Sequence, residues 1–378
     1  MPLIWIGLAA ALILLPIAGL VYVALYLQWV ERQTSGMAYY GRPLEARRAL
    51  KRRIRLFSLP ARPFVHLLAR LGRARAGMPT FEFERMSGPP KVSSPEVFAR
   101  ASAYQPASDD VFVVTQMRCG TTWMQQIVYE ILTRGRSGAD GADGSERAHL
   151  YAESPWIDAV NSVDIDAAPR LGQPPSRIIK CHLPTELCPY SPAARYIYVA
   201  RHPVSCFASI VDFNRSMLGP FLPPIGTMAE WFCSERMYWR PWPAHVAGWW
   251  QWAATRDNVL FIHFEDMKRD FGAVLDRVAQ FLGCTLTAEE RALVAGHCSF
   301  AYMKEHEEFF EMAPPTMFSV AGGEFLASGG AARHDDVTPD VRRRIEAYCR
   351  AALAGGSYPA GRFYPDLAEP PVPHAPAP

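Results

Sequence analysis

The sequence predicts an α/β protein of three layers, in which helices cover both faces of a parallel central sheet, preceded by an N-terminal transmembrane helix. Two observations lead to this prediction. After residue 110, short apolar runs typical of buried parallel strands alternate with helical patterns. Before that region, residues 2–30 form one continuous stretch without a charged side chain.

The predicted sheet comes from four short apolar runs, at 111–115, 178–180, 196–200 and 259–264. Helical patterns lie among and after them, at 122–132, 273–282 and 340–353. This alternation predicts one α/β domain over 107–368. The Gly-rich segment 134–147 predicts a flexible surface loop, and the Pro-rich tail 369–378 predicts disorder.

The N-terminal stretch 2–30 exceeds the roughly 20 residues that a helix needs to cross a bilayer. Tyr22, Tyr26 and Trp29 would then lie at a membrane interface, where aromatic side chains are enriched. A cleaved signal peptide is the alternative, but no basic residue precedes the run and the run is too long. We therefore expect a membrane anchor.

A basic segment follows the predicted anchor. Within the juxtamembrane and lead-in region 31–106, residues 42–76 contain eleven Lys or Arg against one acid, Glu45. The positive-inside rule then predicts a single-pass protein with a cytoplasmic body. Residues 56–76 are basic and partly amphipathic, which fits either an anionic membrane surface or a solvated linker.

Composition limits the class of protein and the kinds of site that can be expected. The chain has 378 residues and is 49% hydrophobic, so a large core is expected. The net charge of +2 says little about partners, and no nucleic-acid partner is expected. Its eight cysteines are scattered, without a CxxC pair or zinc spacing. We expect free, mostly buried thiols in a reducing compartment and no metal site.

The segment 113–123, Val-Val-Thr-Gln-Met-Arg-Cys-Gly-Thr-Thr-Trp, has the pattern of a phosphate-binding loop. A predicted strand enters a loop with one glycine, one cation and two hydroxyls, and a helix begins there. Such a loop directs backbone N–H groups and the positive end of a helix at an anion. It is not a Walker A motif, because GxxxxGK[ST] is absent.

Three further segments occur in order: Ile-Ile-Lys-Cys-His-Leu-Pro at 178–184, Tyr-Ile-Tyr-Val-Ala-Arg-His-Pro at 196–203 continuing to Ser209, and Phe-Glu-Asp-Met-Lys at 264–268. With them, the chain resembles the sulfotransferase family, in particular its cytosolic-type branch, from about residue 110 to 303. The resemblance implies transfer of a sulfuryl group from 3′-phosphoadenosine 5′-phosphosulfate (PAPS) to a hydroxyl or amine.

The resemblance also implies roles for individual residues. The positions that match the family's donor-binding residues are Arg118, Cys119, Gly120, Thr121, Thr122, Trp123, Arg201, Ser209, Ser299 and Phe300. Among them, Trp123 would stack on the adenine, while Arg201 and Ser209 would bind the 3′-phosphate. His182 matches the catalytic base, and Lys180 and Arg118 match cations at the leaving phosphate.

The chemistry fits these assignments, because a neutral His accepts an acceptor's proton near pH 7 and cations stabilise a departing phosphate without a metal. Each residue also has a structural interpretation. His182 could be a hydrogen-bonded core residue, Lys180 could extend past the sheet to solvent, and Arg201 could pair with Asp212. Trp123 could be plain core.

The sequence departs from the family's usual pattern at several positions. Arg118 stands where Lys is usual, Cys119 where Ser is usual and Phe264 where Tyr is usual. Near the C-terminus the family commonly has Arg-Lys-Gly, whereas residues 325–329 read Phe-Leu-Ala-Ser-Gly, and Arg333 is the nearest substitute. A catalytically inactive membrane-tethered protein is therefore one competing hypothesis, and a divergent nucleotide-dependent kinase is another.

The acceptor is expected to be a small or lipid-like molecule. A membrane anchor, apolar residues around 217–228 and aromatic residues around 231–242 suggest an apolar alcohol.

Overall fold

The computed structural model describes residues 2–35, 37–72, 77–90, 92–136, 147–160, 162–311 and 337–368. Their strands are β1 (Phe81–Phe83), β2 (Met86–Gly88), β3 (Asp110–Thr115), β4 (Arg177–Cys181), β5 (Arg195–Ala200) and β6 (Val259–His263).

The helices before β5 lie in two groups, the first near the N-terminus and the second around β3. They are α1 (Pro2–Thr34), α2 (Met37–Tyr40), α3 (Leu44–Ser58), α4 (Arg62–Gly72), α5 (Pro95–Ser102), α6 (Thr121–Leu132) and α7 (Leu150–Glu153). The helices after β5 are α8 (Pro203–Leu218), α9 (Ile225–Phe232), α10 (Trp242–Thr255), α11 (Phe264–Arg269), α12 (Phe271–Leu282), α13 (Ala288–His297), α14 (Phe300–Glu305), α15 (Pro339–Leu353) and α16 (Ala360–Phe363).

The central sheet has the order β4-β3-β5-β6, and all its strands are parallel. Alternate residues of β3 face opposite sides, because side chains along a strand alternate. Phe112 and Val114 join a core cluster that includes residues of α8, α9, α10 and α15. Val111 and Val113 join a second cluster with residues of α6, α12 and α13. The predicted three-layer α/β architecture and its four strands are confirmed.

The stretch 77–106, expected as a lead-in, contains structure of its own. β1 and β2 form an antiparallel pair, and Phe81 packs against the fully buried Phe98 of α5. Ser94 caps α5 by accepting a hydrogen bond from the Val97 N–H, and Pro95 occupies the first turn, where a missing N–H costs nothing. Phe98 also joins the core cluster of Phe112 and Val114, so this hairpin and helix pack onto the α/β domain.

The N-terminal helices also pack together. The Tyr22 hydroxyl donates to the Phe57 carbonyl at 2.7 Å, and the Tyr26 hydroxyl donates to the Ile54 carbonyl at 2.9 Å, so α1 lies along α3. α2 reaches the domain, where the Tyr39 hydroxyl donates to Glu311 at 2.7 Å. α1 is long and apolar enough over Leu14–Thr34 to cross a membrane by length and composition.

All eight cysteines are free thiols, of which Cys233 and Cys284 are partly exposed and the others are buried. This confirms the expectation of free, mostly buried thiols. Two of the predicted loops fall outside the described residues: 137–146, which is most of the Gly-rich loop, and 312–336, which includes the Phe-Leu-Ala-Ser-Gly segment and Arg333. The Pro-rich tail also lies outside them.

Candidate active site

The carboxyl ends of three neighbouring parallel strands bring the predicted site residues to one edge of the sheet. β3 ends at Thr115, immediately before the phosphate loop, β4 ends at Cys181, and β5 ends at Ala200, immediately before Arg201. The chain runs from β3 to β4 on one side and then crosses to β5 on the other. Such a switch point leaves a crevice at the carboxyl edge, where ligands of open α/β sheets bind.

The phosphate loop has a backbone that suits close approach of an anion. Gly120 has φ +102° and directly precedes α6, and a Cβ there would lie 2.7 Å from the Phe264 ring. Arg118 also has a positive φ, of +63°. These conformations turn the chain sharply from β3 into the N-terminus of α6, which is the positive end of the helix. The glycine is required both by its dihedral angle and by the space beside it.

Two arginines and a serine converge beside the loop. Arg118 Nε donates to Ser209 Oγ at 3.3 Å, and Arg201 Nη1 donates to the Arg118 carbonyl at 3.0 Å. Burial, together with the nearby charge of Arg201, lowers the pKa of Arg118 to about 10. The alternative interpretation of the sequence, in which Arg201 pairs with Asp212, is not what the structure has. Asp212 pairs with Arg215 instead, at 3.2 Å.

The Nε atom of Arg201 is buried without a hydrogen-bond partner among the described residues. The guanidinium also lies over the Phe264 ring, with Cζ 4.6 Å from the ring centroid. A buried donor without a partner costs about 1–3 kcal/mol, and two adjacent guanidinium groups repel each other. An anion between Arg118 and Arg201 would relieve both penalties, so these residues fit a phosphate group.

His182 is buried, and its ring orientation is set by the main chain. Its Nδ1 lies 2.7 Å from the Thr115 carbonyl oxygen, which only accepts, so Nδ1 carries the proton and Nε2 carries the lone pair. Burial, followed by the charge of Lys180, holds the pKa of His182 well below its usual range. The imidazole is therefore neutral at physiological pH, with Nε2 as its basic atom.

Thr115 connects this imidazole to the phosphate loop. Its hydroxyl lies 2.6 Å from the Thr121 hydroxyl and 3.3 Å from His182 Nδ1. The first turn of α6 and the end of β4 are thus joined through the last residue of β3.

Two indoles and two polar side chains fix the position of His182. The Trp156 and Trp239 rings lie 5.2 Å and 5.0 Å from the imidazole, measured between centroids. The His182 N–H donates to Asp158 Oδ1 at 3.0 Å, and His245 Nε2 donates to the His182 carbonyl at 3.0 Å. The base therefore has an apolar setting but a main chain held by hydrogen bonds.

Lys180 extends into the same crevice rather than to solvent, since only 2% of the residue is exposed. Its Nζ donates to the Tyr151 hydroxyl at 3.0 Å and lies 3.5 Å from the Trp156 ring centroid. Burial lowers the pKa of Lys180 to about 7, Asp158 opposes that shift and Arg118 adds to it. A buried ammonium beside a phosphate loop is suited to stabilising negative charge on a departing group.

Trp123 and the segment 298–300 meet at the other end of the loop. Trp123 Nε1 donates to the Cys298 carbonyl at 2.8 Å, and the indole lies parallel to the Phe271 ring at 5.7 Å between centroids. Ser299 caps α14 by accepting a hydrogen bond from the Tyr302 N–H, and Phe300 is 42% exposed. The structure therefore brings these predicted residues together, although a role at an adenine stays a prediction.

The Cys119 side chain does not face the crevice. Its thiol is fully buried, 3.7 Å from the Cys206 thiol of α8, so only its main chain can contribute to an anion site. Burial raises the pKa of Cys119, so the thiol stays protonated. The other predicted loop residues, Arg118, Gly120, Thr121 and Thr122, surround the turn into α6.

Several residues at the site were missed by sequence reasoning: Thr115, Tyr151, Trp156, Asp158 and Trp239. Trp239 reaches His182 because it has φ +55° and because Gln116 Nε2 donates to the Tyr238 and Arg240 carbonyls on either side of it. No spacing in the sequence signals that contact. Of the five, Asp158 was the one that the sequence could have indicated, because an acid next to apolar residues is unusual.

The sequence profile of the sulfotransferase domain matches residues 108–357. The chain belongs to the sulfotransferase family. Rat sulfotransferase 1C2 is 31% identical over 215 residues, which are 55% of this chain and 70% of that protein. Mouse sulfotransferase 2B1 is 30% identical over 66% of this chain and 72% of that protein. Guinea-pig 3-alpha-hydroxysteroid sulfotransferase is 29% identical, over 65% and 84% respectively.

Solved structures share the fold of this chain. A mouse sulfotransferase complexed with PAP covers 73% of this chain and 94% of its own, with TM-score 0.53 and 21% identity. Retinol dehydratase in complex with androsterone and the inactive cofactor PAP covers 75% and 92%, with TM-score 0.57 and 20% identity. This chain is thus a PAPS-dependent sulfotransferase, which removes the kinase hypothesis.

Proposed function

We propose that this sulfotransferase is anchored in a membrane and moves the sulfuryl group of PAPS onto a hydroxyl, or an amine, of an apolar, lipid-like small molecule. The observation that carries the proposal is the setting of His182: a buried neutral imidazole between two indoles, beside Lys180 and joined through Thr115 to the phosphate loop. A base in such a crevice suits an apolar alcohol whose proton must be removed.

The donor would lie along the carboxyl edge of the sheet. The main-chain N–H groups at the start of α6, with Thr121 and Thr122, would hold the phosphosulfate. Arg201 and Ser209 would hold the 3′-phosphate, which the unpartnered Arg201 Nε supports. Trp123 and the adjacent segment 298–300 would contact the adenine. Bound PAPS would supply an activated sulfuryl group, and this scheme requires no metal.

The reaction follows from the protonation states. His182 Nε2 accepts the proton of the acceptor's hydroxyl while that oxygen forms a bond to sulfur. The bond between sulfur and the bridging phosphate oxygen breaks, and its electron pair stays on the departing phosphate. Lys180 and Arg118 stabilise that charge. The two cations are close enough for the charge of Arg118 to lower the pKa of Lys180. The Nδ1 hydrogen bond to Thr115 stabilises the imidazolium that forms.

The acceptor's apolar character is supported by the walls of the crevice. Trp156 and Trp239 line His182, and Tyr40 packs on Tyr151 at 5.4 Å between ring centroids, close to Lys180. Aromatic side chains favour steroid-like or long-chain alcohols over sugars, because they offer apolar area and few hydrogen bonds. The names of the related proteins include hydroxysteroid sulfotransferases, which is consistent with this class.

Membrane attachment is supported by α1, whose sequence is uncharged from Pro2 to Val30. The basic residues that follow it favour a catalytic domain on the cytoplasmic side. The hypothesis of an inactive tethered protein rests on residues 325–329, which lie outside the described residues. The described residues favour activity, because the base, both cations and the loop are assembled.

The test is donor binding followed by an acceptor screen. In the full chain, reconstituted in lipid nanodiscs, Arg201→Ala should weaken the affinity for adenosine 3′,5′-bisphosphate about 10- to 100-fold, as expected for the loss of a charge-assisted contact. Arg343→Ala is the matched control, since Arg343 is exposed and pairs with Asp340 on α15. Isothermal titration calorimetry gives both affinities.

The screen then measures transfer of radiolabelled sulfate from PAPS to long-chain alcohols, sterols, amines and sugars. Preference for apolar alcohols is expected. Transfer to soluble sugars alone would contradict the acceptor class. Equal affinity in Arg201→Ala and wild type would contradict the donor site, and binding without transfer to any acceptor would favour the inactive protein.

A further inference from the structure

The helical pair α3–α4, residues 44–72, exposes apolar side chains that the fold does not use. Their interior faces are covered: Leu50, Ile54 and Val65 are buried. Five large apolar side chains on the two helices and the turn between them are 41–76% exposed: Leu56, Leu59, Leu67, Leu68 and Leu71. A cluster of this kind on a soluble surface marks a site of interaction.

Cations stand beside these apolar residues. Arg52, Arg53 and Arg55 are exposed on α3, and Arg62 and Arg70 are exposed on α4. A helix with an apolar face flanked by Arg and Lys is typical of segments that lie in the headgroup region of a bilayer. Anionic headgroups match this charge, because a negative surface attracts nearby basic residues.

Contacts with α1 show which part of that helix lies beside the α3–α4 pair. Tyr26 bonds to Ile54, Tyr22 bonds to Phe57, and the Phe64 ring packs directly on Gly19. As the chain proceeds from α3 into α4, it therefore lies beside progressively earlier residues of α1. The exposed apolar residues from Leu56 onward accordingly lie beside the part of α1 before Tyr26.

The same contacts cover one face of α1 and leave another exposed. Gly19, Val23, Tyr26 and Val30 are buried. Six large apolar side chains of α1 are 47–65% exposed: Leu14, Leu15, Ile17, Leu20, Val21 and Leu25. α1 therefore keeps an apolar face for lipid although it packs on α3 and α4.

We propose that the α3–α4 pair contacts the headgroup region of a bilayer's anionic face beside the α1 anchor, with Leu56, Leu59, Leu67, Leu68 and Leu71 inserted. This deepens the proposed membrane attachment and does not depend on the acceptor. It also gives the catalytic domain a fixed orientation on the membrane, because two elements rather than one tether hold it.

The experiment places a photoreactive p-benzoylphenylalanine at Leu68 in the full chain, reconstituted in vesicles of phosphatidylcholine with phosphatidylglycerol. The matched control has the same residue at Leu293 of α13, because Leu68 is 41% and Leu293 is 44% exposed. After irradiation, mass spectrometry should find lipid adducts at Leu68 and none at Leu293. The yield at Leu68 should fall several-fold in pure phosphatidylcholine.

Absence of a lipid adduct at Leu68, or an equal yield at Leu293, would overturn the proposal. A cross-link from Leu68 to a protein chain would also overturn it, because the surface would then bind a second copy. Binding of adenosine 3′,5′-bisphosphate, measured on the same samples, separates this result from a failure of the proposed function. A labelled protein that binds the bisphosphate is folded whichever adduct it forms.

Discussion

The carboxyl edge of the sheet and the α3–α4 pair both reverse the usual distribution of side chains, but in opposite ways. At the sheet edge, Lys180, His182 and Asp158 are 0–4% exposed. On the α3–α4 pair, leucines are in solvent-accessible positions while the cations stand around them. Charged groups are rarely buried, and large apolar clusters are rarely exposed.

The difference shows what stabilises each unusual group of side chains. The buried polar groups are compensated inside the chain, by hydrogen bonds such as those of His182 to Thr115 and of Lys180 to Tyr151. The exposed leucines have no such compensation within the described residues and point to a medium outside the protein. Substitutions at the sheet edge should therefore change chemistry, and substitutions on the α3–α4 pair should change location.

The largest effect is expected for His182→Asn. Asparagine can still donate to the Thr115 carbonyl but supplies no base, so kcat should fall about 10²- to 10⁴-fold. The affinity for adenosine 3′,5′-bisphosphate should remain within a few-fold of wild type. Steady-state sulfate transfer and calorimetry measure the two quantities. A variant that retains full kcat would show that another group removes the proton.

Lys180→Arg tests the buried ammonium through pH. The pKa of Lys180 is about 7, so its charge is lost as pH rises through 7, and kcat/KM of the wild type should fall on that side. His182 contributes no limb there, because its pKa lies well below its usual range. Arginine stays charged, so the variant should lose the alkaline limb near pH 7. An unchanged limb would assign it to another group.

Asp158→Asn should have a smaller effect on the same profile. Asp158 raises the pKa of Lys180, so neutralising Asp158 should move the alkaline limb of kcat/KM to lower pH. The amide oxygen still accepts from the His182 N–H, which keeps the loop in place. A change in kcat/KM without any movement of the limb would indicate a purely structural role.

The same variant should gain stability. Burial raises the pKa of Asp158 to about 6 from 3.8, so the ionised carboxylate is less favourable in the folded state than in the unfolded state. The penalty is absent below about pH 4, grows as pH rises to 6 and is fully present at pH 7. Asparagine removes it, so the melting temperature should exceed that of wild type at pH 7 but not at pH 4.

The smallest effect on the fold is expected on the α3–α4 pair. Leu67→Glu, Leu68→Glu and Leu71→Glu together should change the free energy of unfolding by less than about 0.5 kcal/mol per site, because these side chains are exposed. Denaturation in detergent measures this change. A large loss of stability would show that the leucines pack within the protein, and it would weaken the membrane proposal.

Local patterns in the sequence were sufficient for the strands of the sheet and for the loop between β3 and α6. His182, Lys180 and Arg201 were named from the family resemblance, and their roles stay predictions. Buried parallel strands are short apolar runs, and a loop between a strand and a helix requires glycine where φ is positive, so both are visible over a few residues. The length of α1 was visible in the same way.

Only the tertiary structure decided which nitrogen of His182 is basic, that Trp239 and Asp158 stand beside it, and that the Cys119 thiol turns away. It also decided that one face of the later part of α1 packs on α3 and is covered by protein. These features depend on contacts between residues far apart in the chain. Hydrophobic periodicity and residue spacing describe only residues that are close in sequence, so they cannot predict such contacts.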